Sequence, residues 1–509
     1  AEYRIANVKT SSTDKDASSA FLKYADFSHY AESFNGMEDE NIVQAIPNAK
    51  ASEWMEENIP LFECPQRNFE EMYYYRWWSL RKHIKETPVG YGMTEFLVQR
   101  SYSDKYNLIA CAIGHHIYES RWLRDPKYLD QIIHTWYRGN DGGPMKKMDK
   151  FSSWNADAVL ARYMVDGDKD FMLDMTKDLE TEYQRWERTN RLKNGLYWQG
   201  DVQDGMEESI SGGRKKKYAR PTINSYMYGN AKALSIMGIL SGDEGMAMRY
   251  GMRADTLKSL VENDLWNTRH QFFETMRTDS SANVREAIGY IPWYFNLPDT
   301  TKKYEVAWKE IMDEKGFSAP YGLTTAERRH PEFRTRGVGK CEWDGAIWPF
   351  ASAQTLTAMA NFMNNYPQTV LSDSVYFRQM ELYVESQYHR GRPYIGEYLD
   401  EVTGYWLKGD QERSRYYNHS TFNDLMITGL IGLRPRLDDT IEINPLIPAD
   451  KWDWFCLDNV LYHGHNLTIL WDKNGDRYHC GKGLRIFVNG KEVGHTDTLT
   501  RLVCENALK

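Results

Sequence analysis

Two carboxylate-bearing segments set among aromatic residues and glycines are where acid–base chemistry could occur in this chain. The first runs Gly195-Leu196-Tyr197-Trp198-Gln199-Gly200-Asp201 and continues into Asp204-Gly205-Met206-Glu207-Glu208-Ser209. The second, far along the chain, is Pro393-Tyr394-Ile395-Gly396-Glu397-Tyr398, followed by Asp400, Glu401 and Thr403-Gly404. Cleaving a glycosidic bond takes one carboxylic acid to protonate the leaving oxygen. A second carboxylate activates water or attacks the anomeric carbon. Acids remote in sequence but carried by loops at one end of a barrel meet that requirement. Spacing alone does not single them out, because most of the 72 acidic residues must simply be solvated.

Other chemistries find less support. His115-His116-Ile117-Tyr118-Glu119 puts His116 and Glu119 on one helical face, a spacing that could hold a metal. The adjacent second histidine of an H-x-x-E-H site is missing, and polar groups facing a sugar pocket fit equally well, so neither metal nor other cofactor is expected. Asp472-Lys473-Asn474-Gly475-Asp476 starts like a calcium loop, but the twelfth position is Gly483 instead of Glu. Nucleophile-elbow, P-loop, H-E-x-x-H and dinucleotide fingerprints are all missing from the sequence.

The elements that must position these acids are mostly helical. Apolar residues recur at helical spacing over Tyr106–Trp122, from Trp154 to Val165, and over Phe171–Arg188, Asn224–Leu240, Gly245–Val261, Lys303–Glu314, Ala351–Asn364 and Val375–Gln387. Asn194-Gly195, Ser241-Gly242, Lys315-Gly316 and Arg390-Gly391-Arg392-Pro393 mark stops. Helices of this length, joined by loops of alternating length, suggest pairs arranged around a centre. After about residue 435 the period changes to two, in Thr440–Pro445, Asn466–Trp471 and Leu484–Val488, with hairpin turns at Lys473–Asp476 and Asn489-Gly490-Lys491. The expected organisation is a partly looped N-terminal segment (1–67, with Thr10–Ser19 as loop), a helical barrel (68–435) and a small antiparallel β domain (436–509).

Composition narrows the class further. At 509 residues and 41% hydrophobic the chain can bury a large core, and no run approaches the roughly 18 apolar residues a membrane helix needs. The formal charge is −9, and Arg214-Lys215-Lys216-Lys217 is an isolated basic block, so nucleic acid is not an expected partner. Six cysteines without a CxxC pair read as free buried thiols. The start Ala-Glu-Tyr reads as a processed or trimmed end, with a periplasmic or secreted location as the expectation. The 17 Trp and 34 Tyr suit the C–H faces of sugars as well as cores.

Taken in order, the motifs resemble six-hairpin glycosidases such as glycoside hydrolase family 63, of the processing α-glucosidase and mannosylglycerate hydrolase types. Gly205-Met206-Glu207-Glu208-Ser209 is similar to their Gly-Met-Asp-Asn-Ser segment, and Glu342-Trp343-Asp344-Gly345-Ala346-Ile347-Trp348-Pro349 to their Trp-Arg-Gly-Pro-Ile-Trp-Pro motif. Gly316-Phe317, Tyr321-Gly322-Leu323-Thr324 and Pro331 resemble the segment before it. Glu397-Tyr398 with Thr403-Gly404 resembles their Glu-Asn-Tyr segment, and Tyr417-Asn418-His419-Ser420 falls where their late aromatic segment lies. The departures are Glu at 207 for Asp, Asp344 for Arg, and His115, His116, Glu119 and Trp122 where a W-x-W-D segment belongs.

The resemblance implies a mainly α fold, an (α/α)6 barrel with a C-terminal β domain, and an inverting glycoside hydrolase without cofactor. Glu207 would be the general acid, with Asp204 or Glu208 as substitutes, and Glu397 the general base. Inversion goes with carboxyls roughly 6.5–9.5 Å apart. Trp343, Trp348, Tyr394 and Trp406 become candidate stacking platforms, and Asp344, His115, His116, Glu119, Arg121, Asn418 and His419 candidate hydroxyl binders. The substrate would be an oligosaccharide or polysaccharide attacked from its end, an α-glucoside by resemblance, or an L-arabinofuranoside or deoxy-sugar given the departures. A polysaccharide lyase using His115, Tyr417 or His419 as base, a phosphorylase, and a non-catalytic carbohydrate-binding barrel are the rival readings.

Overall fold

The computed structural model describes residues 21–301 and 303–509; the Thr10–Ser19 stretch lies outside them. Two helices, α1 (Ser28–Asn35) and α2 (Ala51–Asn58), pack on α3 (Arg67–Arg81), so the polar N-terminal segment is more helical than expected. Then follow α4 (Ile113–Ser120), α5 (Lys127–Arg138), α6 (Asn155–Asp166), α7 (Lys169–Asn190) and α8 (Pro221–Ser241). The last helices are α9 (Glu244–Leu260), α10 (Ile291–Tyr294), α11 (Pro349–Asn365), α12 (Asp373–Ser386) and α13 (Asn423–Leu425), which a π-turn continues over Met426–Leu430.

Composition sorts the helices into two layers. α8 is buried on nearly every side, whereas α7 buries a single stripe, Met172, Met175, Leu179, Tyr183 and Trp186, and shows its charged residues to water. α4, α6, α8, α10, α11 and α13 touch in succession, and α13 closes back onto α4. α3, α7, α9 and α12 pack outside this ring. The helix ends follow simple capping chemistry. Asp168 and Asp243 accept the N–H groups of Phe171 and Met246, and Gly167 and Gly242 end α6 and α8 in the left-handed conformation.

Two expected helices are shorter than their periodicity suggests. In Tyr106–Trp122 the helix starts only near Ala110, because Asn107 takes φ 65° and its side-chain amide donates to Phe96 O at 2.9 Å, holding a turn. In Lys303–Glu314 only Glu305–Ile311 winds, as a 3-10 helix.

The C-terminal strands form a five-stranded antiparallel sheet in the order β1 (Leu61–Glu63), β2 (Trp454–Tyr462), β3 (His465–Asp472), β4 (Gly483–Val488) and β5 (Lys491–Thr496). Leu467 faces Val488 and Ile469 faces Ile486, so alternate residues fill one core face. Asn489 and Gly490, both at positive φ, make the tight turn between β4 and β5. β1 comes from the N-terminal segment, which is thereby stitched to the far end of the chain. The molecule is an (α/α)6 barrel with a C-terminal β domain. All six cysteines are free thiols, and among the described residues no helix is long and apolar enough to cross a membrane.

Candidate active site

The loop that carries Glu207 is anchored from below. Asp204 accepts from Arg220 Nε at 2.7 Å, from Ser152 Oγ at 2.5 Å and from the Thr222 hydroxyl. Arg220 and Thr222 flank Pro221, the first residue of α8, so an inner helix fixes the loop. Neither the Asp204 nor the Arg220 side chain has exposed surface. Asp204 is therefore a buried anchor and not an acid facing a substrate, a correction to its candidacy. Gly205 follows at φ 72°, where a Cβ would sit 2.6 Å from Cys111 Sγ, so only glycine fits. Glu208 takes φ 67° and turns its carboxylate outward to Arg214 at 2.6 Å. Glu207, between buried Met206 and outward Glu208, is left half-buried. Burial pushes its pKa up, and the charges of Asp201 and Glu397 push the same way, against its own backbone N–H.

Glu397 is set by the crossing of two loops. Ile347 and Leu399 exchange N–H···O bonds at 3.0 Å in both directions, and Leu399 also bridges to Trp406. Trp348 is the residue before Pro349, which starts α11. Trp343 and Trp348 stack with ring centroids 4.3 Å apart, Trp348 stacks on Phe350 at 4.5 Å, and Tyr398 meets Trp343 edge-on. Trp348 Cη2 also reaches toward Gly205. The two tryptophans thus join the Glu207 and Glu397 loops. Their indole N–H groups lack hydrogen-bond partners among the described residues, which leaves two donors unused. Lys408 Nζ lies 3.4 Å from Glu397 Oε2, and His419 Nε2 lies 3.3 Å from the Glu397 carbonyl.

A third carboxyl joins them that sequence reasoning missed. Glu95 follows the hairpin formed by Ile84–Thr87 and Gly90–Met93. Tyr417 donates its hydroxyl to Glu95 Oε1 at 2.8 Å, and Asn418 N donates to the Glu95 carbonyl at 2.9 Å. Burial lifts the Glu95 pKa to about 8; the Tyr417 hydrogen bond opposes this, and Glu397 and Glu207 reinforce it. A lone acid inside the run Met93-Thr94-Glu95-Phe96-Leu97 was the signal available.

The remaining candidates divide. Trp343, Trp348, Asn418 and His419 lie around Glu397 and Glu95. Asn418 uses its amide to hold Thr94 O at 3.0 Å. The others are framework, contrary to expectation. His115 is buried between the edges of Trp154 and Phe350, and burial lowers its pKa to about 3. His116 donates to Asn418 O at 2.7 Å, and Glu119 accepts the N–H groups of Phe422, Asn423 and Asp424, capping α13. Arg121 pairs with buried Asp424 at 2.8 Å. Asp344 accepts from Arg336 N and Gly337 N and clasps its own loop. Tyr394 donates to Gly409 O and Ser414 O, and Trp406 to Ser386 O and Tyr388 O. Backbone partners claim the polar atoms of Glu119, Tyr394 and Trp406 that a sugar would need, whereas both His115 ring nitrogens are buried without a hydrogen-bond partner among the described residues.

With this geometry in hand, comparison with known proteins places the chain. The model of the mannosylglycerate hydrolase MGH1-like glycoside hydrolase domain matches residues 105–420. The chain belongs to this glycoside hydrolase family. That of the C-terminal domain of glycosyl hydrolase family 65 matches residues 433–495, which covers most of the β sheet. A solved structure named "Sialidase" is 99% identical over 98% of this chain, with a TM-score of 0.97, and this chain spans 46% of its length. The family 63 mannosylglycerate hydrolase of Thermus thermophilus in complex with glucose is 13% identical over 70% of this chain and 99% of its own, TM-score 0.52. The family 78 rhamnosidase of Bacillus sp. GL1 is 12% identical over 84% of this chain and 41% of its own, TM-score 0.56. The last two share the fold of this glycoside hydrolase domain.

Proposed function

We propose that this glycoside hydrolase domain cleaves O-glycosidic bonds of an oligosaccharide or glycan from its end, by single displacement with inversion. The observation that carries the reading is the meeting of the Glu207 and Glu397 loops across the Trp343–Trp348 stack, with burial raising the Glu207 pKa. Glu207 holds a proton and gives it to the glycosidic oxygen as the C–O bond breaks. Glu397 takes a proton from the water that attacks the anomeric carbon on the opposite face. The products are an alcohol and a hemiacetal of inverted configuration. Trp343 and Trp348 supply an apolar face and two free N–H donors to the sugar.

Sialoside hydrolysis is a second reading, carried by the name of the 99% identical structure. Sialic acid is itself a carboxylate, and Lys408, the cation beside the acids of this site, is already paired with Glu397, which favours a neutral sugar. The test is a panel of aryl α- and β-glycosides, including glucosides, mannosides, rhamnosides, L-arabinofuranosides and a sialoside, with glycan oligosaccharides beside them. Hydrolysis of a neutral glycoside by the wild type and its loss in Glu207→Gln and Glu397→Gln support the proposal. Unchanged turnover in both variants contradicts it.

A further inference from the structure

The segment Tyr417-Asn418-His419 is a strut between two acids. Its tyrosine hydroxyl and its Asn418 N–H hold Glu95, while the His419 ring meets the backbone of Glu397. This fixes Glu95 beside the pair assigned above, yet only one of its carboxyl oxygens is used. Oε1 accepts from Tyr417, and Oε2 is buried without a hydrogen-bond partner among the described residues. An unpaired carboxyl oxygen buried in such a place is destabilising unless a ligand meets it.

We propose that Glu95 is a third working carboxyl of the site, whose Oε2 contacts a hydroxyl of the bound sugar next to the scissile bond. The proposal rests on the hydrolase reading above. Tyr417 already fills Oε1 as a donor, so the proton of the acid form sits on Oε2 and points at the sugar. The groups that face Glu95 keep that proton in place. Glu397 is a like charge and Glu207 becomes one once it gives up its proton, Tyr102 and Tyr417 are neutral phenols whose pKa values are raised by burial, and the Cys111 thiol is buried and raised as well. With its pKa lifted to about 8, Glu95 is a hydrogen-bond donor at neutral pH. The role is donation of a hydrogen bond, and no proton leaves Glu95 in the reaction.

Two experiments decide. Infrared difference spectra of the unliganded protein, wild type against Glu95→Gln, should show a protonated carboxylic acid band at pH 7. The band should disappear in the variant and fade in the wild type as pH rises through about 8. On whichever glycoside the wild type hydrolyses, Glu95→Gln retains a donor and should keep kcat/KM within about tenfold. Glu95→Ala removes it and should lose about 10²-fold. Absence of the band overturns the proposal. So does a Glu95→Gln variant as inactive as Glu397→Gln, which would make Glu95 an acid or base in the reaction itself. A wild type that hydrolyses no glycoside would count against the hydrolase reading, and the infrared band would still decide the state of Glu95.

Discussion

Lys408 Nζ lies 3.4 Å from Glu397 Oε2, and both side chains are nearly buried, at 11% and 7% exposure. The ammonium also sits over the Tyr398 ring, 5.0 Å from its centroid. Lys408 is thus the counter-charge that lets Glu397 share a small space with Glu95 and Glu207.

Removing that charge should cost both stability and rate. In Lys408→Met the methylene stem keeps its packing, but Glu397 loses its partner inside a group of acids. The expected loss is about 3 kcal/mol in a urea melt and about tenfold or more in kcat. A variant with wild-type melting and turnover would show that the ion pair has no part in the site.

Asp204 and Arg220 predict the opposite balance. Both side chains are fully enclosed, so Asp204→Asn takes from a buried guanidinium the carboxylate bonded to it and leaves it the charges of Glu286 and Asp201. The expected destabilisation is about 3–5 kcal/mol, read by thermal or urea unfolding, with the rate falling as the Glu207 loop loosens. If Asp204→Asn melts like the wild type and is nonetheless inactive, the general acid is Asp204 and Glu207 is displaced from the mechanism.

Glu207 works only while protonated, so its rate contribution is complete below its pKa and is lost as pH rises through it. Because burial raises that pKa, the alkaline fall in kcat should lie above the range of an ordinary glutamate. Glu207→Gln should abolish that limb. Its loss of rate should be large, about 10² or more, for substrates with poor leaving groups and much smaller for activated aryl glycosides. Equal losses on both kinds of substrate would argue against proton donation by Glu207.

Much of this molecule was legible before its structure. Helical stretches with firm stops, such as the one ending at Ser241-Gly242, appear where expected, because period and cap are local properties of the chain. The alternating segments after residue 435 form the β domain for the same reason. The family resemblance rested on several short motifs in fixed order, and the match to the mannosylglycerate hydrolase-like family bears it out. What was not legible depends on long-range pairing. β1 is three residues that gain meaning only opposite Cys456, Leu457 and Asp458. Residue type could not separate Trp343 and Trp348, with their free indole N–H groups, from Trp406, whose N–H is tied to the barrel wall. Asp344 and Glu119 are acids that bind backbone amides, a role with no sequence signature. Glu95 and Lys408 belong to no motif and become visible only when the loops meet.

The most direct test follows the sugar itself. Proton NMR of the first-formed product, recorded before mutarotation, should show the anomer opposite to that of the hydrolysed glycoside. Glu397→Gln should reduce its formation by at least about 10²-fold. A first-formed product with retained configuration, or near-wild-type turnover in Glu397→Gln, would contradict the assignment of Glu207 and Glu397 as the acid and base of an inverting hydrolase.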